Sequence, residues 1–206
     1  MDYNVSSKKE QRGILAGMLL GAAKRKGNNF SVAHRNSQID YLLFKKALLE
    51  EITRKPVCLR EQKTLNGDRL LCANPKLIPL SRILVKKLYP GGVKTITRKF
   101  LNNLTPQGIA IWFMDKGGKS FKKKDGRIHG LEITLNTHFS KEASEIIVAY
   151  FAEVWDIHWG LSRNQGKYRL RLGTRAGKNL LLFLKPYIHS SMLAKIETSY
   201  NKTAAT

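Results

Sequence analysis

The chain has 206 residues, with 37 lysines and arginines against 15 aspartates and glutamates, for a formal net charge of +22. Hydrophobic residues make up 42%, which suits a folded chain and not a disordered polycation, and no apolar run approaches the ~20 residues that a membrane span needs. The positive excess is spread over both halves, and a polyanion such as nucleic acid is the simplest partner to offset it.

Residues 1–12 are polar and lack the apolar core of a signal peptide, so an intracellular protein is expected, in a chloroplast or mitochondrion or in bacterial or phage cytoplasm. Residues 14–23 read as a short helix in which Ala16, Gly17 and Gly21 permit close approach of a second helix. The basic run Lys24-Arg25-Lys26 follows. Alternation over residues 30–35 predicts a strand with Phe30 and Val32 on one face. Residues 39–52 carry Tyr41, Leu42, Phe44, Leu48, Leu49 and Ile52 at helical spacing. Strands over 57–62 and 69–73 flank Asn66-Gly67, a hairpin turn signal. A less regular stretch, 75–104, holds a short helix that ends before Tyr89-Pro90-Gly91-Gly92.

The second half runs through the same order. Thr105 suits a helix N-cap and Pro106 the first helical position, opening a helix that stops near Gly117-Gly118. A hairpin over 119–124 and 128–138 turns at Asp125-Gly126, with clean alternation from Leu131 to Asn136. Ser140 caps a helix with Ala143, Ile146, Ile147, Tyr150, Phe151 and Val154 on its buried side. Strands over 159–163 and 167–172 turn at Asn164-Gln165-Gly166, and a last helix begins near Gly177 or after His189. The order helix–strand–strand–helix–strand–strand–helix therefore occurs twice.

The two short helices carry a resemblance. The stretch from Leu15 to Ala23, LAGMLLGAA, is similar to the LAGLIDADG motif of homing endonucleases. Its counterpart, IAIWFMDKG from Ile109 to Gly117, is preceded by Leu104-Thr105-Pro106 and followed by Gly118-Lys119. Two motifs at domain-scale spacing, each followed by the same elements, identify the chain as a member of the single-chain branch of that family. The resemblance covers residues 13 to 196. It implies an α+β fold of two pseudo-symmetric αββαββα halves, divided as 1–103 and 104–206. The motif helices would pack at the centre of a monomer, and the antiparallel sheets would form a saddle over the DNA major groove.

The resemblance also exposes a departure. In the family the acidic residue before the last motif glycine binds the catalytic divalent metal, Mg²⁺ in active relatives. The matching positions here are Ala22 and Lys116; Asp115 lies one place earlier, on a different side of the helix. No metal is expected in this sequence. The five histidines are scattered without ligand spacing, and Cys58 and Cys72 cannot build a zinc site alone. Efficient Mg²⁺-dependent cleavage is not expected.

Binding residues are expected on polar sheet faces. Lys167, Arg169 and Arg171 alternate with Tyr168, Leu170 and Leu172, and suit either guanine edges or phosphates. Glu132, Thr134 and Asn136 line the polar face of the neighbouring strand, and Arg60 and Gln62 share a face opposite Leu59 and Glu61. Lys24, Arg25 and Lys26, then Asn29, His34 and Arg35, follow the first motif. Lys119 follows the second, where its role would be electrostatic, with Lys122 and Arg127 around the next hairpin. Double-stranded DNA is the expected partner. The alternatives are intron RNA, as for family members acting as maturases, or a structural place in a ribonucleoprotein.

Overall fold

The computed structural model describes residues 3–64, 66–164 and 166–198; the predicted turn residue Gln165 lies outside them. The repeated order is present. In the first half α1 (Lys8–Leu20), β1 (Ala23–Lys26), β2 (Asn29–Arg35), α2 (Ile39–Thr53), β3 (Cys58–Lys63), β4 (Arg69–Asn74) and α3 (Pro79–Leu88) follow one another. A four-residue helix, α4 (Arg98–Leu101), leads to α5 (Pro106–Lys116), β5 (Gly117–Lys124), β6 (Arg127–Leu135), α6 (Lys141–Trp155), β7 (Gly160–Asn164), β8 (Lys167–Leu172) and α7 (Thr174–Leu184). Each half forms one antiparallel four-stranded sheet, in the orders β1-β2-β4-β3 and β5-β6-β8-β7.

The sequence signals act where they are expected. The Thr105 hydroxyl accepts the Gly108 amide at 3.5 Å, the Ser140 hydroxyl accepts the Ala143 amide at 3.3 Å, and Pro106 occupies the first turn of α5. Asp125 and Gly126 take φ of 50° and 73°, the paired left-handed turn that matches hairpin twist. Several boundaries differ, among them the strand expected over 128–138, which ends at Leu135. Helix α1 begins six residues before the apolar run, capped by Ser7, whose hydroxyl accepts the Glu10 amide at 3.1 Å; its first turns are exposed and so carry no apolar signal. It ends at Leu20, not at residue 23, because Ala23 is already paired with Val32 in the ladder. Strand β1, AKRK, has no apolar alternation, and its pairing with β2 defines it. The last helix, α7, starts at Thr174, and a 3-10 segment, Ser190–Lys195, follows His189. On α6, Ile146 and Val154 are exposed at 37% and 45%, outside the predicted buried side.

The two motif helices form the centre. They run in the same direction, and glycine controls their separation: a Cβ on Gly17 would lie 2.1 Å from the Gly108 carbonyl oxygen, and one on Gly108 would lie 2.1 Å from that of Gly13. The backbones touch where no side chain fits. Residues from Ile14 to Leu20 and from Ile109 to Met114 are all buried, so the apolar core runs continuously across the helix pair. Both C-termini therefore reach the same end, and β1 and β5 depart from it.

Candidate nucleic-acid interface

Strand parity sorts the predicted binding residues. On the first sheet, Phe30, Val32, Leu71 and Ala73 face the helices. By alternation Lys24, Lys26, Asn29, Ser31, Ala33, Arg35, Arg60 and Gln62 face outward. Lys24, Ser31, Ala33 and Gln62 line one shallow depression together with Lys63 and Thr64. Lys26 donates to Asn74 Oδ1 at 2.9 Å, Asn29 donates to the Pro75 carbonyl at 2.8 Å, and exposed Arg35 pairs with Asp68 at 2.9 Å. On the second sheet the outward set is Ser120 and Lys122, Glu132 and Thr134, Ser162, and Lys167, Arg169 and Arg171; Thr134 stands directly opposite Arg171. Arg127 is exposed at the hairpin end, and Asn136 lies beside Gly118, its amide bonded to the Lys116 carbonyl at 2.9 Å.

Three of the expected binding residues have the parity of the helix side, and a fourth is an acid among the cations. His34 has the parity of Phe30 and Val32; it is 7% exposed, packed edge-on against Tyr41 and 3.1 Å from Gln38 Oε1. Arg25 shares the same parity and donates to the carbonyls of Gly27 and Gly92, with its guanidinium 5.7 Å from the Tyr89 ring centre, so it braces the connection between the halves. Lys119 pairs with Ile133 and turns to the helix side, where it donates to the Glu197 carbonyl and lies over Phe121. One residue of register separates it from the outward face. Glu132 does face outward, but as an acid within the basic row: its carboxylate is 3.4 Å from Lys122, 3.7 Å from Arg169 and 3.8 Å from Arg171.

The central site lies where the motif helices end. Ala22 is half-buried just past α1, and Lys116 is the last residue of α5. Asp115 points across the helix interface. Its Oδ2 accepts the Ala22 amide at 2.8 Å and its Oδ1 accepts from Lys45 at 2.5 Å, with both side chains fully buried. His34 Nε2 approaches the same carboxylate at 3.7 Å and Lys45 Nζ at 3.1 Å. Burial, and then the Lys45 charge, push the His34 pKa down to about 4. Burial also lowers that of Lys45, against the attraction of Asp115.

Two further lysines close the ends of the motif helices. Lys94, from the connection before α4, donates to the Leu19 carbonyl at 2.9 Å, and Lys195, from the last 3-10 segment, donates to the Gly117 carbonyl at 2.9 Å. Each satisfies a carbonyl at a helix C-terminus, where the partial charge is negative. Burial and then the neighbouring Lys116 charge lower the Lys94 pKa to about 8. Burial lowers that of Lys195, with Asp115 opposing and Lys116 adding to the shift.

Sequence reading missed Lys45, Lys94 and Lys195. A signal existed for Lys45, which falls on the apolar stripe of α2 between Tyr41, Leu42 and Leu48, Leu49. Lys94 and Lys195 lie in irregular segments with no periodic signal.

A divalent metal does not suit this donor set. Ala22 has no donor atom, Lys116 brings a positive charge, and Asp115, the carboxylate nearest to both, is wholly engaged by Lys45 and the Ala22 amide. Among the described residues no three His, Cys, Asp or Glu side chains are grouped to hold an ion.

A family model, the LAGLIDADG DNA endonuclease family, matches residues 12–180. The fold is similar to a solved structure of the homing endonuclease I-WcaI bound to its DNA recognition sequence, with a TM-score of 0.77, 21% identity and 96% of each chain covered. It is also similar to the I-SmaMI LAGLIDADG homing endonuclease bound to cleaved DNA, with a TM-score of 0.58, 9% identity, and 90% of this chain and 86% of that one covered. At these identities the likeness speaks for the fold alone. Among curated sequences, Protein RecA of Mycolicibacterium chitae is 26% identical over 203 residues, covering 91% of this chain and 46% of that protein. Protein RecA of Mycolicibacterium fallax is 27% identical over 202 residues, with the same shares, 91% and 46%. The chain thus spans about half the length of the curated relatives it matches.

Proposed function

The chain belongs to the LAGLIDADG DNA endonuclease family, and from that premise we propose that it binds duplex DNA in a sequence-dependent way and does not cleave it with a divalent metal. The observation that carries this reading is the contrast between surface and centre. Two outward sheet faces bear Lys24, Lys26, Arg35 and Arg60 on one side and Lys122, Lys167, Arg169 and Arg171 on the other, with polar Gln62, Ser162 and Thr134 among them. Between these faces, Ala22 and Lys116 stand at the two motif positions where the family carries metal-binding acids. Phosphate contacts fix register and base-edge contacts select sequence, and neither needs the missing carboxylates.

In this reading residues 1–103 and 104–206 each serve half of the duplex, and the protein acts as a monomer. Two similar structures hold DNA, one its recognition sequence and the other cleaved DNA; the extension of DNA binding to this chain is part of the proposal.

The test is selection from a randomised duplex pool, followed by footprinting and incubation of the selected duplex with Mg²⁺. The expected result is one protected site, affinity that falls steeply with salt, and an uncut duplex. Double-strand cutting would overturn the loss of cleavage. Tighter binding to structured intron RNA than to any duplex at equal salt would transfer the reading to an RNA partner.

A further inference from the structure

We propose that the groove between α7 and the last 3-10 segment docks an acidic, amphipathic helix of a partner protein, on the side of the second half that faces away from the outward sheet surface. The inference goes beyond the duplex-binding reading and holds whether or not the outward faces carry DNA.

Packing fixes where the groove lies. Helix α7 sits on the helix side of the second sheet: a Cβ on Gly177 would come 2.8 Å from Ile133 Cγ1, and the Thr174 hydroxyl accepts the Leu131 amide at 2.8 Å. The groove runs along α7 beside Lys178, Leu181, Leu182 and Lys185, the i, i+3, i+4 and i+7 positions of one helical stripe. Leu193 and Ile196 stand on the facing wall, and the cavity between has a volume of about 370 Å³. That wall is held in place. Lys195 donates to the Gly117 carbonyl and the Ile196 amide to the Leu193 carbonyl, both at 2.9 Å, and Met192 is buried.

The chemistry of the lining selects the occupant. Helix α7 buries Leu180, Leu181 and Leu184, yet Leu182 is 67% exposed and Leu193 is 43% exposed. Exposed leucines beside a recessed apolar cavity mark a surface that a partner covers. Lys178 and Lys185 are exposed and stand at the two ends of this stripe, two turns or about 10 Å apart along the helix. A helix that lays apolar residues at i, i+3 or i+4 and i+7 into the groove, with an acid beyond each end, matches both the leucines and the lysines. Nucleic acid does not: among the described residues the lining holds no aromatic ring on which a base could stack. An anionic bilayer surface is flat, whereas this site is recessed and has Glu197 in its lining. Residues 199–206 follow directly on the groove but carry one lysine and no acid, so they lack the complementary charge.

The test selects a displayed library of randomised helical peptides against the full chain. The expected winners share the apolar stripe and carry acids at both ends. A synthetic copy of the winning peptide should bind about tenfold or more weakly to Leu182→Ser than to wild type, and should also weaken with Lys178→Gln and Lys185→Gln combined. Saturating peptide should leave affinity for the selected duplex within about twofold. Winners that are acidic without the stripe, or that ignore Leu182→Ser, would reveal attraction by net charge alone and overturn the groove. Competition between peptide and duplex would place the peptide on the sheet faces and overturn it too. Two results would reassign the groove and sink a partner helix. One is a chain ending at Thr198 that binds the peptide about tenfold tighter, which gives the site to residues 199–206. The other is a dimer in sedimentation velocity that Leu182→Ser abolishes, which gives it to a second copy.

Discussion

The Oδ2 of Asp115, on the second motif helix, accepts the amide of Ala22 at the end of the first, at 2.8 Å. The same carboxylate holds Lys45 at 2.5 Å. One acid thus satisfies a free amide at the turn out of α1, neutralises a buried lysine from α2, and ties the two halves together. Its removal should be costly because it leaves Lys45 charged or desolvated without a partner. Asp115→Asn should destabilise by about 3 to 5 kcal/mol, read by urea unfolding. Lys45→Met in that background should recover a large part of the loss. If the double variant is as unstable as Asp115→Asn alone, the pairing with Lys45 is not the source.

The glycine contact between the motif helices makes a sharper steric prediction. A Cβ at Gly17 would lie 2.1 Å from the Gly108 oxygen, and backbone cannot yield as a flexible side chain can. Gly17→Ala should cost about 3 kcal/mol or more, at the upper end of overpacking. Gly27→Ala is the comparison: it meets nothing within 4 Å and its φ of +58° is its only demand, so its loss should stay near 1 kcal/mol. Equal losses for the two would contradict the close approach.

The sequence announced this contact but not what lies beyond it. Small residues at Gly13, Gly17, Gly21 and Gly108 are local facts, and they specify which backbones can touch. The caps at Thr105 and Ser140 and the turn at Asp125-Gly126 are equally local, and the fold follows them. The partners of Asp115 are not local. Lys45 is 70 residues away in the chain and Ala22 is 93, and no periodicity connects them. Parity alone could have assigned His34 to the core face with Phe30 and Val32, and Lys119 to the helix side with Phe121. Polar character outweighed parity in reading both. Glu132 was legible as an outward residue, yet its position among three cations depends on pairing between β5, β6 and β8.

His34 ties stability to acid. Its folded pKa, about 4, lies below the ordinary value of 6.5, so the unfolded chain takes up this proton first. Stability from the neutral ring is therefore complete above pH 6.5 and is lost as pH falls toward 4, by up to about 3 kcal/mol. Chemical denaturation at a series of pH values should show this slope, and His34→Gln should flatten it. An unchanged slope in the variant would assign the acid sensitivity to other groups.

Glu132 should weaken the attraction of the second sheet for a polyanion. Its carboxylate lies within 3.4 to 3.8 Å of Lys122, Arg169 and Arg171, so Glu132→Gln frees three cations at once. Affinity for duplex DNA should rise several-fold, most for unselected sequences, and the slope of log affinity against log salt should steepen by about one unit. Arg171→Gln should change both quantities in the opposite direction. A rise confined to the selected sequence would mean that Glu132 contributes to base selection and not to general charge.

Lys94 carries the pH dependence of folding into the alkaline range, with the same sign as His34. In the free protein its pKa is lowered to about 8 from the ordinary 10.5, through burial and the Lys116 charge. Between those values the unfolded chain holds the proton that the folded chain has released, so folding stability contributed by this group increases with pH across that window. The gain should reach up to about 3 kcal/mol. Lys94→Arg keeps the charge at every accessible pH and should flatten this rise, while Lys94→Met removes the titrating group and should flatten it as well. Urea unfolding at constant ionic strength between pH 8 and 10 decides this. If wild type and Lys94→Met rise in parallel, the titrating group lies elsewhere in the chain.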